Sequence, residues 1–150
     1  MSRTNDTNRE RTALLLAVKP RWSAMLLAGT KTIEFRRRGP GRTAVGRPVL
    51  LYASSPLSSL VGHGIMLGCS RAKPSELWER YADQGGIAEQ DFRAYFTGAI
   101  FGEALELQCS PLSQEVTLEA LRDRYGWRPP MSWSWLVASS PLLTLIPGRT

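Results

Sequence analysis

Residues Gly29–Arg38, with the sequence GTKTIEFRRR, are the most informative stretch of this chain. Polar and apolar side chains alternate along it, which is typical of a strand with two different faces. Glu34 and Arg36 lie on one face, and Phe35 lies on the other. The pattern therefore predicts a strand over residues 30–37 whose polar face carries charges of both signs.

The sequence on both sides of this strand predicts an α+β fold. Pro20 can open a helix, because its missing N–H costs nothing at the first helical position, and Gly29 suits the end of that helix. Thr117 is a good N-cap for a later helix. The predicted strands cover residues 12–18, 30–37, 48–53, 60–69, 99–109 and 142–146; the predicted helices cover 20–28, two short segments within 74–96, and 118–125; residues 126–136 are predicted as a loop.

Six short strands among short helices, without regular βαβ alternation, predict a small mixed or antiparallel β-barrel with the helices inserted around it. The chain has 150 residues, which suits a single domain. We expect that domain over residues 12–147, with residues 1–11 as a disordered tail.

Composition and charge narrow the function. Hydrophobic residues make up 43% and charged residues 21% of the chain, which excludes a collagen, a coiled coil and a wholly disordered protein. The net charge of +6 favours polyanionic partners, most simply nucleic acid. No apolar run approaches the length of a membrane span, and the polar N-terminal stretch lacks the features of a secretory signal. We therefore expect a cytoplasmic protein with no membrane contact.

The charge is unevenly distributed along the chain. Residues 31–47 contain six basic residues and one acidic residue, a net charge of +5. Residues 76–106 contain seven acidic and two basic residues, a net charge of −5. The first segment predicts a local site for a polyanion, and the acidic insertion 76–106 is a candidate surface for a protein partner.

The inventory of metal ligands and nucleophiles is small. The chain has two cysteines, Cys69 and Cys109, and one histidine, His63, none of them at metal-ligand spacing. We therefore predict no metal site and no cofactor, with the cysteines as small buried thiols. A Ser-His-Asp triad would have to use His63, which has no nucleophile-elbow motif near it.

The polar row on the predicted strand has two interpretations. The planar fork of an arginine fits a phosphate with two hydrogen bonds, and Glu34 could orient the basic side chains around such a group. Alternatively, the row is a solvated edge strand with a ladder of Glu–Arg pairs, since charged edges are common. The spacing of the residues does not choose between the two.

The motifs of the chain resemble those of the ASCH domain family, a relative of the PUA-like barrels. The resemblance begins with Lys19-Pro20 and a Gly-x-Lys-x-x-Glu-x-Arg core that starts at Gly29. It continues through later segments and covers roughly residues 13–146. Those segments are Leu51-Tyr52-Ala53-Ser54-Ser55-Pro56, Val61-Gly62, Glu76-Leu77-Trp78-Glu79 and Pro129-Pro130-Met131-Ser132-Trp133.

This resemblance implies a PUA-like β-barrel with a cleft between barrel and helices that binds RNA or a nucleotide-like ligand. The residues expected to line the cleft are Lys19, Lys31, Glu34, Arg36, Ser54, Ser55, Ser132 and Trp133. Trp133 could instead cap the core. We expect Arg37, Arg38 and Arg42, together with Lys31 and Arg36, to attract the ligand electrostatically.

Catalysis is the open question. One branch of the family acts as an amidohydrolase on N4-acetylcytidine with a threonine nucleophile, and this chain has Glu34 at that position. The glutamate of that branch falls near Gly85 or Gly86, so we do not carry the amidohydrolase activity over. The alternative is a hydrolase that acts on a modified nucleoside, or a ribonuclease that uses Lys31 and Glu34 as an acid/base pair. A non-catalytic module that binds single-stranded RNA is the favoured function.

Overall fold

The computed structural model describes residues 10–148 and shows one six-stranded sheet with four α-helices. The strands are β1 (Arg11–Val18), β2 (Ile33–Arg36), β3 (Pro48–Ala53), β4 (Ser59–Ala72), β5 (Gly102–Thr117) and β6 (Trp133–Val137). The helices are α1 (Pro20–Ala28), α2 (Pro74–Tyr81), α3 (Glu89–Tyr95) and α4 (Leu118–Tyr125), and short 3-10 turns cover Arg42–Ala44, Ala82–Gln84 and Pro141–Leu145. The α+β class is confirmed.

The strand order is β2-β5-β4-β3-β1-β6, so the sheet is mixed. Strands β1 and β3 are parallel, and the other neighbouring pairs are antiparallel. The central strand β1 reads as a continuous apolar run because both of its faces are covered. Leu14 and Leu16 pack into one buried cluster, and Leu15 packs into the other.

The sheet has two edges, β2 and β6, which form no backbone ladder with each other among residues 10–148. Arg36 and Trp133 bridge these edges through side chains. Arg36 belongs to β2 and donates to Ser132, directly before β6, and the Trp133 indole donates to the Arg38 carbonyl at 2.9 Å. The predicted barrel is therefore an open sheet whose two edges are joined by side-chain contacts.

A third apolar cluster lies under α2 and α3 and fixes the helical insertion to β2. Phe35 contacts Phe92 with ring centroids 4.8 Å apart and Phe96 with centroids 6.4 Å apart, both edge-on. Leu77 from α2 is completely buried in the same cluster. Phe35 thus anchors the insertion on one face of β2, while Glu34 and Arg36 occupy the other.

Two predictions near the C-terminal end were wrong. Residues 142–146 form no strand, because Ser140 and Pro141 start a 3-10 turn over Pro141–Leu145 in which the Ser140 hydroxyl accepts from the Leu142 N–H at 3.3 Å. The loop predicted over residues 126–136 contains β6, which pairs antiparallel with β1. Trp133 and Trp135 form part of this strand because they pack on the core cluster of β1.

Other boundaries moved by a few residues. The helix over Pro20–Ala28, the strand over Pro48–Ala53 and the helix over Leu118–Tyr125 are confirmed at both ends. The strand β2 is shorter than predicted, and β4 and β5 are longer. The predicted tail lies mostly outside the described residues, although β1 already begins at Arg11. Among residues 10–148, no helix is long and apolar enough to cross a membrane.

Candidate functional site

A cleft of about 840 Å³ opens beside β2, between α1, α3 and the loop before β6. Its volume falls within the range of about 300–1,000 Å³ that is common for small-molecule sites. The polar and aromatic residues that line it are Lys19, Arg21, Trp22, Lys31, Glu34, Phe35, Arg36, Tyr52, Ser54, Ser55, Ser58, Asp91 and Tyr95.

The floor of the cleft contains one carboxylate between two cations. Glu34 Oε1 lies 3.3 Å from Lys31 Nζ, and Glu34 Oε2 accepts from Arg36 Nη2 at 2.7 Å and Nε at 3.0 Å. Lys31 is only 2% exposed, Glu34 is 6% exposed and Arg36 is 8% exposed. The polar row of β2 is therefore buried, and the solvated-ladder interpretation was wrong.

Arg36 uses the rest of its guanidinium to bind main-chain and side-chain oxygens of other strands. Nη2 donates to the Ala17 carbonyl of β1 at 2.9 Å, and Nη1 donates to Ser132 Oγ at 2.8 Å. The Arg36 fork is thus saturated by protein groups. It holds the cleft together and contributes positive charge from the floor.

Lys31 is held by the end of α1 and by the loop after α2. Gly29 adopts a left-handed φ of 78° and ends α1, after which the Lys31 N–H donates to the Met25 carbonyl at 3.2 Å. The Lys31 ammonium donates to the Gly85 carbonyl. Gly85 can come this close because it has no side chain. A Cβ at this position would lie 2.4 Å from the Phe35 ring.

Burial lowers the pKa of Lys31 below its ordinary value of 10.5. The negative charge of Glu34 and its hydrogen bond oppose this effect, and the positive charge of Arg36 adds to it. The ammonium also lies 5.0 Å from the centroid of the Trp22 ring. Lys31 is thus an amine that gives up its proton more readily than an exposed lysine does.

The predicted site residues fall into three groups. Lys19, Ser54 and Ser55 line the cleft with the buried trio, and Ser132 touches the trio through Arg36. Arg37 and Arg38 follow the end of β2 and line a second groove. Arg42 is exposed and lines neither the cleft nor the second groove.

Trp133 does not line the cleft. Its ring packs against the core cluster of β1 and its indole N–H donates to the Arg38 carbonyl, so the prediction of Trp133 as a ligand contact gives way to the core alternative. The basic segment of residues 31–47 does not form a single surface patch. Two of its cations, Lys31 and Arg36, are buried on Glu34.

Several residues of the cleft could not be found from the sequence. Tyr95 lies on α3 and is 40% exposed at the cleft edge, and Asp91 lies one turn earlier on the same helix. Trp22 packs on the core and also lines the cleft. Their only sequence signal is the helical spacing of Asp91 and Tyr95, which places both on one face.

The two cysteines are poor nucleophiles. Burial, helped by the nearby Glu103 carboxylate, raises the pKa of Cys69 to about 12. Burial, helped by the charge of Glu34, raises the pKa of Cys109 to about 11. Across residues 10–148, no group of three or more His, Cys, Asp or Glu side chains could hold a metal ion.

The acidic insertion is less acidic at its surface than its sequence indicates. Glu103 is buried, and its two carboxylate oxygens accept from the N–H groups of Gly39 and Gly41 at 2.8 and 2.9 Å. Glu89 forms an exposed pair with Arg93 at 2.9 Å. A protein partner at this insertion therefore stays a prediction that depends on its remaining acids.

No family model matches the sequence. A protein of Zymomonas mobilis named ASCH domain-containing ribonuclease is 29% identical over 128 residues, which cover 85% of this chain and 86% of the relative. The crystal structure of ASCH from Zymomonas mobilis superposes with a TM-score of 0.81 at 28% identity over 91% of this chain and 97% of that one. These comparisons confirm the resemblance of this chain to ASCH domain proteins.

Two further solved structures are similar to this chain. A serine-to-alanine variant of the Zymomonas mobilis protein gives a TM-score of 0.82 at 26% identity, covering 92% of this chain and 99% of the variant. The N-terminal domain of Staphylothermus marinus McrB gives a TM-score of 0.52 at 13% identity, covering 94% and 96% of the two chains. The second likeness extends to the fold alone.

Proposed function

We propose that the cleft of this chain binds single-stranded RNA. The observation that carries the proposal is the floor of the cleft, where Lys31 and Arg36 share the single carboxylate of Glu34. With both cations protonated, the trio has a net charge of +1 in a poorly solvated place. A phosphate or another anionic group of a ligand would balance this charge.

The rim of the cleft adds the features that a nucleotide strand needs. Lys19 and Arg21 are exposed cations, and the Arg21 guanidinium lies 4.1 Å from the centroid of the Trp22 ring. Tyr95 offers an exposed aromatic surface on which a base can stack. The serines Ser54 and Ser55 can donate to phosphate or base oxygens. The name of the Zymomonas mobilis relative, a ribonuclease, supports RNA as the ligand.

This proposal includes the finer features that the resemblance implies. The open sheet whose edges are joined by Arg36 and Trp133 would be this chain's version of a PUA-like barrel. A nucleotide-like small molecule would use the same contacts as one unit of the strand. The protein interaction at the acidic insertion would be separate from both.

A salt titration tests the binding. Anisotropy of a fluorescent single-stranded RNA octamer is measured from 50 to 200 mM salt for the wild type, Lys19→Ala and Arg124→Ala. Each phosphate contact adds about −0.7 to the slope of log K against log salt. We expect Lys19→Ala to bind more weakly and to lose about 0.7 of slope. Arg124 is exposed and lines neither the cleft nor the second groove, so its loss should change little. A flat salt dependence of the wild type would refute the proposal.

Cleavage of the bound RNA is a second candidate, and the lowered pKa of Lys31 favours it. In such a reaction, the neutral Lys31 amine takes the proton of a ribose 2′-hydroxyl as the 2′-oxygen attacks the adjacent phosphorus. The bond from phosphorus to the 5′-oxygen breaks, and that oxygen takes a proton from water. The products are a 2′,3′-cyclic phosphate and a 5′-hydroxyl.

Two substrates separate cleavage from binding. One is an RNA octamer, and the other is the same octamer with 2′-deoxyribose at every position. We expect cyclic-phosphate ends only from the RNA, and no product with Lys31→Met, whose folding is checked by its thermal melt. If both octamers bind and the RNA stays intact over long incubation, the domain is a binding module without this activity.

A further inference from the structure

A second groove of about 570 Å³ lies next to the C-terminal end of β2 and is lined mainly by arginines and apolar residues. We propose that this groove binds the continuation of the same RNA strand, with phosphates on its arginines and a base on Phe101. This inference rests on the proposed function of the cleft and extends it into a two-part footprint.

The charge of the groove is positive and accessible. Arg37, Arg38 and Arg71 are all exposed, and none of them forms an ion pair within residues 10–148. The acid of the groove, Glu103, faces Arg71 across the β4–β5 ladder, but its carboxylate is buried and is used by two main-chain N–H groups and the Cys69 thiol. The three arginines thus have free donors, and the planar fork of a guanidinium can bind two oxygens of a phosphate.

The groove also has an aromatic surface. Phe101 is 44% exposed, and its neighbour Ile100 is 75% exposed, which leaves two adjacent apolar side chains beside the arginines. The Arg71 guanidinium lies 5.1 Å from the centroid of the Phe101 ring. Single-stranded RNA is commonly bound by such pairs, because bases stack on aromatic rings and on arginine planes while the same arginines contact phosphates.

The groove and the cleft share a wall. Arg37 lines the groove, Tyr95 lines the cleft, and the Arg37 N–H donates to the Tyr95 hydroxyl at 3.1 Å. Arg37 also follows Arg36, whose guanidinium forms part of the cleft floor. A strand that leaves the cleft over Tyr95 therefore meets Arg37 and the groove directly.

The position of the arginines is fixed by the buried acid. Glu103 holds the N–H groups of Gly39 and Gly41, so the turn that follows Arg38 has a defined path. The Arg38 carbonyl is bound by the Trp133 indole. Both contacts hold the backbone of Arg37 and Arg38 in place, which reduces the entropy that ordering them on a ligand would cost.

RNA length separates the two parts of the footprint. Affinities of a trinucleotide, which the cleft alone can hold, and a decanucleotide are compared for the wild type, Arg71→Ala and Phe101→Ala. Arg124→Ala and Leu67→Ala serve as matched controls, since both remove an exposed side chain outside the two grooves. Thermal melts of all four variants check that each of them folds.

We expect Phe101→Ala to weaken binding of the decanucleotide by about fivefold or more, with an unchanged salt slope. We expect Arg71→Ala to weaken it and to reduce the salt slope by about 0.7. Neither variant should change the affinity for the trinucleotide. Suppose that the wild type binds the trinucleotide and that both variants bind the decanucleotide as tightly as the wild type does. This result would refute RNA binding in the groove and would leave the cleft proposal intact. Wild-type protein that binds neither RNA would overturn both.

Discussion

Arg36 donates to the Ser132 hydroxyl at 2.8 Å and thereby connects β2 to the start of β6, the two edges of the sheet. The same guanidinium binds Glu34 with two nitrogens and the Ala17 carbonyl with one of them. A single buried side chain therefore links β2 to β1 and to the start of β6, two strands with which β2 forms no backbone ladder among residues 10–148. The charged floor of the cleft and the closure of the fold depend on the same residue.

Arg36→Gln should destabilise the protein strongly. The change leaves Glu34 buried with one cation instead of two and removes the link to Ser132. Breaking a buried ion pair costs about 3–5 kcal/mol, so we expect a loss of that order in the free energy of unfolding measured with denaturant. The control is Arg93→Gln, which breaks the exposed pair with Glu89 and should cost about 1 kcal/mol or less. Equal losses in the two variants would contradict this account of Arg36.

Glu34→Gln should lower the pKa of Lys31 further. Glu34 raises that pKa through its charge and its hydrogen bond, and the variant removes the charge while keeping the shape. The titration of the Lys31 side chain can be followed by NMR of selectively labelled lysine. Glu79→Gln, which changes an exposed acid on α2, should leave Lys31 unaffected. A Lys31 that titrates at the same or a higher pH in Glu34→Gln would show that the pair is not coupled as the distances indicate.

Because the pKa of Lys31 is lowered in the folded protein, the free energy of unfolding should rise with pH between that lowered pKa and the ordinary value of 10.5. The unfolded chain holds the Lys31 proton up to that ordinary pKa, whereas the folded chain releases it at a lower pH. Between the two pKa values the unfolded state binds more protons, so the free energy of unfolding increases as the pH rises. Lys31→Met should flatten this rise in denaturant unfolding measured at several pH values. Lys73→Met, at an exposed position, should retain it.

Much of the fold could be predicted from sequence because local signals and tertiary packing agree there. Pro20 and Gly29 delimit α1, Thr117 caps α4, and the apolar run of β1 predicts a central strand. The strand β6 was missed because its tryptophans, with Pro129 and Pro130 shortly before it, resemble a loop. Its conformation is set by pairing with β1, which no local pattern shows.

The candidate site was predictable in part for the same physical reason. The alternation of β2 places Glu34 and Arg36 on one face, and the structure brings Lys31 to the same carboxylate. Burial of that trio depends on Gly85 and on the third apolar cluster, which are distant in sequence. Arg71 and Phe101 could not be found, because only the β4–β5 pairing and the fold of the insertion bring them beside Arg38.

Trp133→Phe separates the core role of this tryptophan from a role in binding. The variant keeps an aromatic ring on the core cluster and removes the hydrogen bond to the Arg38 carbonyl. We expect a loss of about 0.5–1.5 kcal/mol in the free energy of unfolding, typical of one hydrogen bond. Affinity for a trinucleotide should be unchanged, because Trp133 does not line the cleft. A large drop in that affinity without a change in stability would instead restore Trp133 as a ligand contact.

The most direct test of the central claim, that RNA binds in the cleft above Lys31, Glu34 and Arg36, is an NMR titration. Uniformly labelled protein is titrated with a single-stranded RNA trinucleotide, and shifts of backbone amides are mapped onto the structure. The account predicts the largest shifts at Lys19, Ser54 and Ser55, with saturation at a common affinity. Shifts confined to the exposed acidic face of α2, or no shifts at all with RNA in excess, would contradict it.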